Sequence, residues 1–109
     1  VGEAVMERRE GAEYAFNGHL LAEALAELGA AASAERPRHV VLAMQFISPG
    51  RHAGPGGDIA EIVAEAEAAY PGLQVHISEL IGEHLQFVDL LRTRAANLAA
   101  RTPLDVIPA

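Results

Sequence analysis

The sequence predicts an α/β fold in which helices cover both faces of a small parallel sheet. Residues 39–47 ("HVVLAMQFI") are β-branched, aromatic and apolar nearly throughout, which is typical of a strand buried on both faces. Residues 73–78 ("LQVHIS") form a second clear strand pattern. The segment between these two strands is long enough for a helix, and such crossovers join parallel strands.

The first part of the chain predicts a helix followed by a short strand. Val1, Val5 and Met6 repeat at helical spacing, and Gly11 is a favoured residue just past a helix end. Residues 12–16 ("AEYAF") predict a strand, and the Asn-Gly pair that follows predicts a turn. The expected sheet therefore contains three strands.

Three further helices complete the predicted order. Asp58 is a favoured N-cap residue, and Glu61 three residues later completes a capping-box-like pair at the start of one of these helices. Each helix has an apolar stripe at helical spacing: Leu21, Ala24, Leu25 and Leu28; Ile59, Ile62, Val63 and Ala66; and Phe87, Leu91, Ala95 and Leu98. The final eight residues, "TPLDVIPA", fit no element. We expect residues 1–109 to form one domain.

Composition excludes several classes of function. The chain has no cysteine, which excludes disulfides, thiolate metal sites and a cysteine nucleophile, and is consistent with a cytoplasmic protein. The formal net charge is −7 and the sequence contains no basic patch, so we expect no nucleic-acid partner. No apolar run is long enough to span a bilayer, so we expect no membrane partner.

The stretch "QFISPGRHAGPGGDI", residues 45–59, carries the strongest functional signal. It places His52 just past a predicted strand, and ligands of open α/β sheets bind outside the carboxyl ends of strands. Neutral imidazole is a common ligand for iron, cobalt and nickel. The alternative is a solvated loop histidine in a glycine-rich turn. The glycines form neither a dinucleotide fingerprint nor a P-loop, so we expect no nucleotide cofactor.

Most of the chain resembles the small class II tetrapyrrole chelatases, the sirohydrochlorin cobalto- and ferrochelatases of cobalamin and sirohaem synthesis. The resemblance consists of an apolar strand, a turn with a Gly-x-His pattern, Asp-Ile at a helix start and a later Gly-Glu-His segment. The matching residues are Phe46, Gly50, His52, Asp58, Ile59, Ile81, Gly82, Glu83 and His84. The family fold is a three-layer sandwich of the flavodoxin-like kind.

The resemblance implies that His52 is a metal ligand and catalytic base during insertion of Co²⁺ or Fe²⁺, or Ni²⁺, into a tetrapyrrole. Family members carry a second histidine in a Gly-His-Gly-Ser motif on a first strand, which this sequence lacks. We expect that strand to exist upstream and to be missing here. The alternative is a degenerate relative with half a metal site.

Three other residues complete the expected site. His19 follows the predicted strand 12–16, so it is a candidate second ligand, although a surface turn histidine fits equally well. Arg51 is a candidate partner for tetrapyrrole carboxylates, and Gly50 allows the backbone to approach the substrate. Small family members work as homodimers, which we expect here. The rival interpretation is a non-catalytic domain that binds metal or tetrapyrrole, or acts as a scaffold.

Overall fold

A computed structural model of the chain describes residues 1–101. The α-helices are α1 (Leu21–Ala30), α2 (Gly50–Ala53), α3 (Asp58–Ala69) and α4 (Leu85–Arg101), and the strands are β1 (Arg38–Leu42) and β2 (Leu73–Ile77). Short 3₁₀ helices span Ala12–Asn17 and Ile81–Glu83. The predicted tail "TPLDVIPA", residues 102–109, lies outside the described residues.

The two strands pair in parallel, and the crossover between them contains α3, as the sequence predicts. Val40 lies opposite Val75, on the face of the sheet that contributes to the core. The mixture of helices with a parallel sheet agrees with the predicted α/β class. Within residues 1–101 the sheet has two strands. The wider three-layer sandwich therefore stays a prediction.

One hydrophobic core joins α1, α3 and the two strands. Leu25 is only 1% exposed and packs with residues of α3, as expected from the apolar stripes. Within residues 1–101, eight apolar side chains are buried: Leu21, Leu25, Met44, Ile59, Val63, Ala66, Leu73 and Leu80. Glu67 of α3 accepts the backbone N–H of Val75 at 2.7 Å, so this glutamate is not a purely solvated residue.

The predicted first helix is wrong. Val5 is extended: its N–H donates to the His19 carbonyl at 2.9 Å, and its carbonyl accepts the N–H of Leu21 at 2.8 Å. The segment lacks a capping residue, and glycine and valine have low helix propensity. Pairing with a distant segment therefore satisfies the Val5 backbone better than a local helix would.

The predicted strand at residues 12–16 is also wrong, because these residues form the 3₁₀ helix Ala12–Asn17. The N–H of Tyr14 donates locally to the Gly11 carbonyl at 3.1 Å, and alanine-rich sequence has little β propensity. As a consequence, His19 does not follow a strand end. It lies in the connection between this 3₁₀ helix and α1.

Strand β1 ends at Leu42, five residues earlier than predicted, because β2 offers no pairing partner beyond Ile77. The N–H of Met44 instead donates to Oγ of Ser78 at 2.9 Å. This bond connects the two segments that follow the strands. We call them L1 (residues 43–57, which include α2) and L2 (residues 78–84). Both lie at the carboxyl ends of the strands, where the fold predicts a ligand site.

One face of the sheet and helix α4 remain outside the core. His39, Val41, Gln74 and His76 are exposed on the same face, and Val41 is 74% exposed. No residue of α4 as described is buried, although its predicted stripe begins at Phe87. The described chain is elongated, 61 by 35 by 26 Å. Within residues 1–101 one face of the sheet is thus uncovered, and helices on both faces stay a prediction.

Candidate functional site

His52 lies on the single-turn helix α2 and is held by a carboxylate. Its Nδ1 lies 2.7 Å from Oδ2 of Asp58, and the side chains are 35% and 39% exposed. The chain enters α2 at Gly50 with φ 51°, a left-handed conformation that glycine adopts without steric cost. The turn thereby brings the imidazole back over the first residue of α3.

The Asp58 contact determines which ring nitrogen of His52 is available. A carboxylate accepts hydrogen bonds, so Nδ1 carries the hydrogen in this contact and the neutral ring keeps its lone pair on Nε2. The same carboxylate-to-imidazole arrangement orients metal-bound histidines and raises their basicity. The lone pair on Nε2 of His52 is therefore available to bind a cation or to accept a proton.

The sequence predicts Asp58 as the N-cap of its helix, and this prediction is wrong. Gly57 precedes the helix without a side-chain cap bond, and Asp58 is the first helical residue. The Asp58 carboxylate faces His52, six residues earlier, so the role of Asp58 as the partner of His52 was missed. The signal in the sequence was a histidine six residues before a helix that begins with an aspartate.

Arg51 and Gly50 lie on the same turn. Nε of Arg51 is 3.7 Å from the Asp58 oxygen that contacts His52, and the Arg51 side chain is 79% exposed. Because it is so exposed, the guanidinium is accessible to an incoming carboxylate. A Cβ added at Gly50 would meet no atom within 4 Å, so the backbone here is open on its outer side.

Two clefts open at the carboxyl ends of the strands, and Met44 borders both. The larger, about 620 Å³, is lined mainly by apolar residues of L1, L2 and the start of α4, including Leu80, Ile81 and Phe87. The smaller, about 210 Å³, lies beside α2 and is lined by Ala53, Gly54, Pro55 and Ile59 among others. Within residues 1–101, His52 itself lines neither cleft, although its neighbours Ala53 and Gly54 line the smaller one.

His84 of the Gly-Glu-His segment lines the larger cleft. Its Nδ1 accepts the backbone N–H of Gln86 at 3.2 Å, at the start of α4. His84 therefore supplies a side-chain cap to the start of α4.

His19 occupies a different surface. It is 60% exposed, its Nδ1 lies 3.6 Å from Oε1 of Glu27, and it lines a cleft of about 710 Å³ with Arg8, Arg9 and Glu23. This cleft shares no lining residue with the two clefts at L1 and L2. Within the described chain, no three His, Cys, Asp or Glu side chains cluster as a metal site.

Glu23, beside His19, has a pKa below its usual value. The main cause is the hydrogen bond that its carboxylate accepts from the N–H of Leu20 at 2.9 Å. The charge and hydrogen bond of Arg8 lower the pKa further, and burial opposes the shift. Because the folded-state pKa is lowered, this carboxylate stabilises the fold above the unfolded pKa, and the contribution is lost as pH falls through the folded value.

None of the helices described over residues 1–101 has the length and apolar character needed to cross a membrane.

Comparisons with known proteins identify the family. Searches of curated proteins and of solved structures gave no significant match. The model of the CbiX family matches residues 2–98, which is most of the chain. The resemblance to tetrapyrrole chelatases is thereby confirmed, and the chain belongs to the CbiX family, the sirohydrochlorin cobaltochelatases of class II.

Proposed function

We propose that this chain inserts a divalent metal, Co²⁺ or Fe²⁺, into a tetrapyrrole such as sirohydrochlorin, with His52 as the residue that presents the metal. Ni²⁺ is a further candidate substrate. Family membership supports the tetrapyrrole and metal-insertion chemistry. The observation that carries the role of His52 is its 2.7 Å contact with Asp58, which leaves Nε2 as the free nitrogen.

In this mechanism the His52 imidazole acts twice. Its Nε2 first holds the metal ion, and Asp58 fixes the ring through Nδ1 and keeps the required tautomer. The metal replaces two pyrrole hydrogens as it enters the ring. Once the metal has left Nε2, that nitrogen can accept one of the two protons, and the Asp58 carboxylate stabilises the resulting imidazolium. The second proton passes to solvent.

The surroundings of His52 support binding of a flat, polyanionic substrate. The apolar cleft of about 620 Å³ between L1 and L2 is not lined by His52, but it opens at the same carboxyl ends of the strands, lies within the size range of small-molecule sites and offers an apolar wall for a macrocycle. Arg51 is exposed and can pair with a carboxylate arm, while Gly50 leaves space for the substrate. We keep His19 as a proposed second metal ligand, although within one chain it lines a cleft separate from those at L1 and L2. Pairing of two chains and a cytoplasmic location stay predictions.

The test is a metal-insertion assay on this chain with sirohydrochlorin and Co²⁺ or Fe²⁺, followed by absorbance. We expect His52→Ala to lower the rate by about 100-fold or more, as for loss of a catalytic base. Asp58→Asn should lower it about 10- to 100-fold, because it removes only the group that orients the ring. Arg92→Ala changes an exposed side chain of α4 and is the control.

The outcomes separate the candidate functions. Insertion that is unchanged in His52→Ala removes His52 from the mechanism. Tetrapyrrole binding without insertion by the unaltered chain would favour the non-catalytic binding domain. Loss of activity in Arg92→Ala as well would indicate a general effect on folding, which the unfolding midpoint of each variant reports independently.

A further inference from the structure

A second pair of imidazoles lies on the exposed face of the sheet, apart from the His52 turn. Nδ1 of His39 and Nε2 of His76 are 3.1 Å apart. Their ring centroids are 5.4 Å apart and their planes are inclined by 15°, so the two rings lie nearly end to end with these nitrogens facing each other. His39 is on β1 and His76 is on β2, and both side chains are exposed. The pair is therefore accessible to solvent and is built by two paired strands.

The strand register explains why these two rings meet. His39 lies opposite Gln74 and Val41 lies opposite His76, so the histidines are diagonal neighbours on one face. Side chains two residues apart along a strand point to the same face, and diagonal neighbours are close enough for rings to touch. Because backbone pairing fixes both Cα positions, little side-chain ordering is needed to bring the nitrogens together.

We propose that His39 and His76 chelate a divalent first-row cation that prefers imidazole, such as Zn²⁺, Ni²⁺ or Cu²⁺. Zinc–nitrogen bonds are about 2.0–2.1 Å, so two such bonds at an angle between square and tetrahedral place the nitrogens about 2.9–3.4 Å apart. The observed 3.1 Å lies in this range. Imidazole suits these cations, and water completes their coordination.

In the absence of a cation the same distance is satisfied by a hydrogen bond, with one ring as donor and the other as acceptor. Cation binding requires each neutral ring to carry its hydrogen on the far nitrogen, which is Nε2 of His39 and Nδ1 of His76. The exchange therefore needs a change of tautomer and a rotation of the rings that turns both lone pairs toward the cation, with no net loss of a proton. A formal chain charge of −7 adds a general attraction for cations.

The experiment uses a His52→Asn background, so that the proposed substrate-metal residue does not contribute. Zn²⁺ binding is measured by calorimetry, and Cu²⁺ binding by the nitrogen hyperfine splitting of its electron paramagnetic resonance spectrum. We expect one cation per chain and a two-nitrogen signal. His39→Asn and His76→Asn should each weaken Zn²⁺ binding at least about 10-fold, since even loss of a ligand's supporting partner costs that much.

Two matched variants sharpen the result. His84→Asn removes another exposed histidine and should leave Zn²⁺ affinity unchanged. Gln74→His adds a third imidazole opposite His39 on the same face and should tighten binding about 10-fold or more. The proposal is overturned if the background protein binds no Zn²⁺, or if His39→Asn binds it as tightly as the background does. Neither result bears on metal insertion by His52.

Discussion

Loops L1 and L2 follow the two paired strands at the same end of the sheet, yet they are built differently. L1 is rich in glycine, and a Cβ at Gly50 or Gly56 would meet nothing within 4 Å. L2 is tight, and a Cβ at Gly82 would clash with the backbone carbonyl oxygen of Ile47 in L1. The loop that carries His52 therefore has open space at Gly50 and Gly56, although Gly57 packs against its own backbone, whereas the neighbouring loop contacts it closely at Ile47.

The largest expected effect comes from a substitution that disrupts the close contact between L1 and L2. Gly82→Ala forces the backbones of L1 and L2 apart, since the contacted atom is a backbone oxygen that cannot rotate away. Overpacking of this kind costs about 3 kcal/mol of unfolding free energy. Urea denaturation measures it, with Gly50→Ala as the comparison in which no clash exists. A Gly82→Ala protein as stable as the unaltered chain would contradict the close approach.

A smaller effect concerns the hydrogen bond between the loops. Ser78→Ala removes the hydroxyl that accepts the Met44 N–H. The Met44 residue is only 4% exposed, so its N–H has little access to water. An unsatisfied backbone donor of this kind costs about 2 kcal/mol. The control is Ser48→Ala, an exposed serine in L1. Equal unfolding midpoints for the two variants would show that this bond does not join the loops.

The smallest effect probes L1 alone. Gly50→Ala places a side chain at φ 51°, where an L-residue is strained by about 1 kcal/mol although it meets no neighbour. We expect a modest loss of stability and a larger relative loss of metal insertion, because the turn positions His52. Gly2→Ala, which also meets no atom within 4 Å and has no positive φ, serves as the neutral control. Unchanged insertion in Gly50→Ala would separate the turn conformation from catalysis.

Local patterns predicted the part of the fold that local forces determine. The apolar stripes of α1 and α3 and the two strands were readable because each buries one contiguous face. The structure of the first ten residues could not be predicted in this way, because Val5 pairs with residues around His19, far along the chain. Likewise, the end of β1 depends on where β2 stops, which the sequence of residues 39–47 does not contain.

The candidate site was predictable in position but not in its partners. The Gly-x-His turn indicated His52, whereas Asp58 fitted a helix cap equally well, and only the geometry shows that its carboxylate faces the imidazole. The sequence did not indicate His39 or His76 as site residues. Their contact depends on the strand register, which no pattern within either strand specifies.

The bond between Glu67 and Val75 also has a consequence for association. A two-stranded sheet is prone to recruit foreign strands, which leads to aggregation. On β2, however, the N–H of Val75 already donates to the Glu67 carboxylate. A further strand that paired with β2 at Val75 would have to displace the Glu67 carboxylate from this N–H and would then lie next to its negative charge. We therefore expect Glu67 to disfavour the pairing of a further strand at this edge of β2.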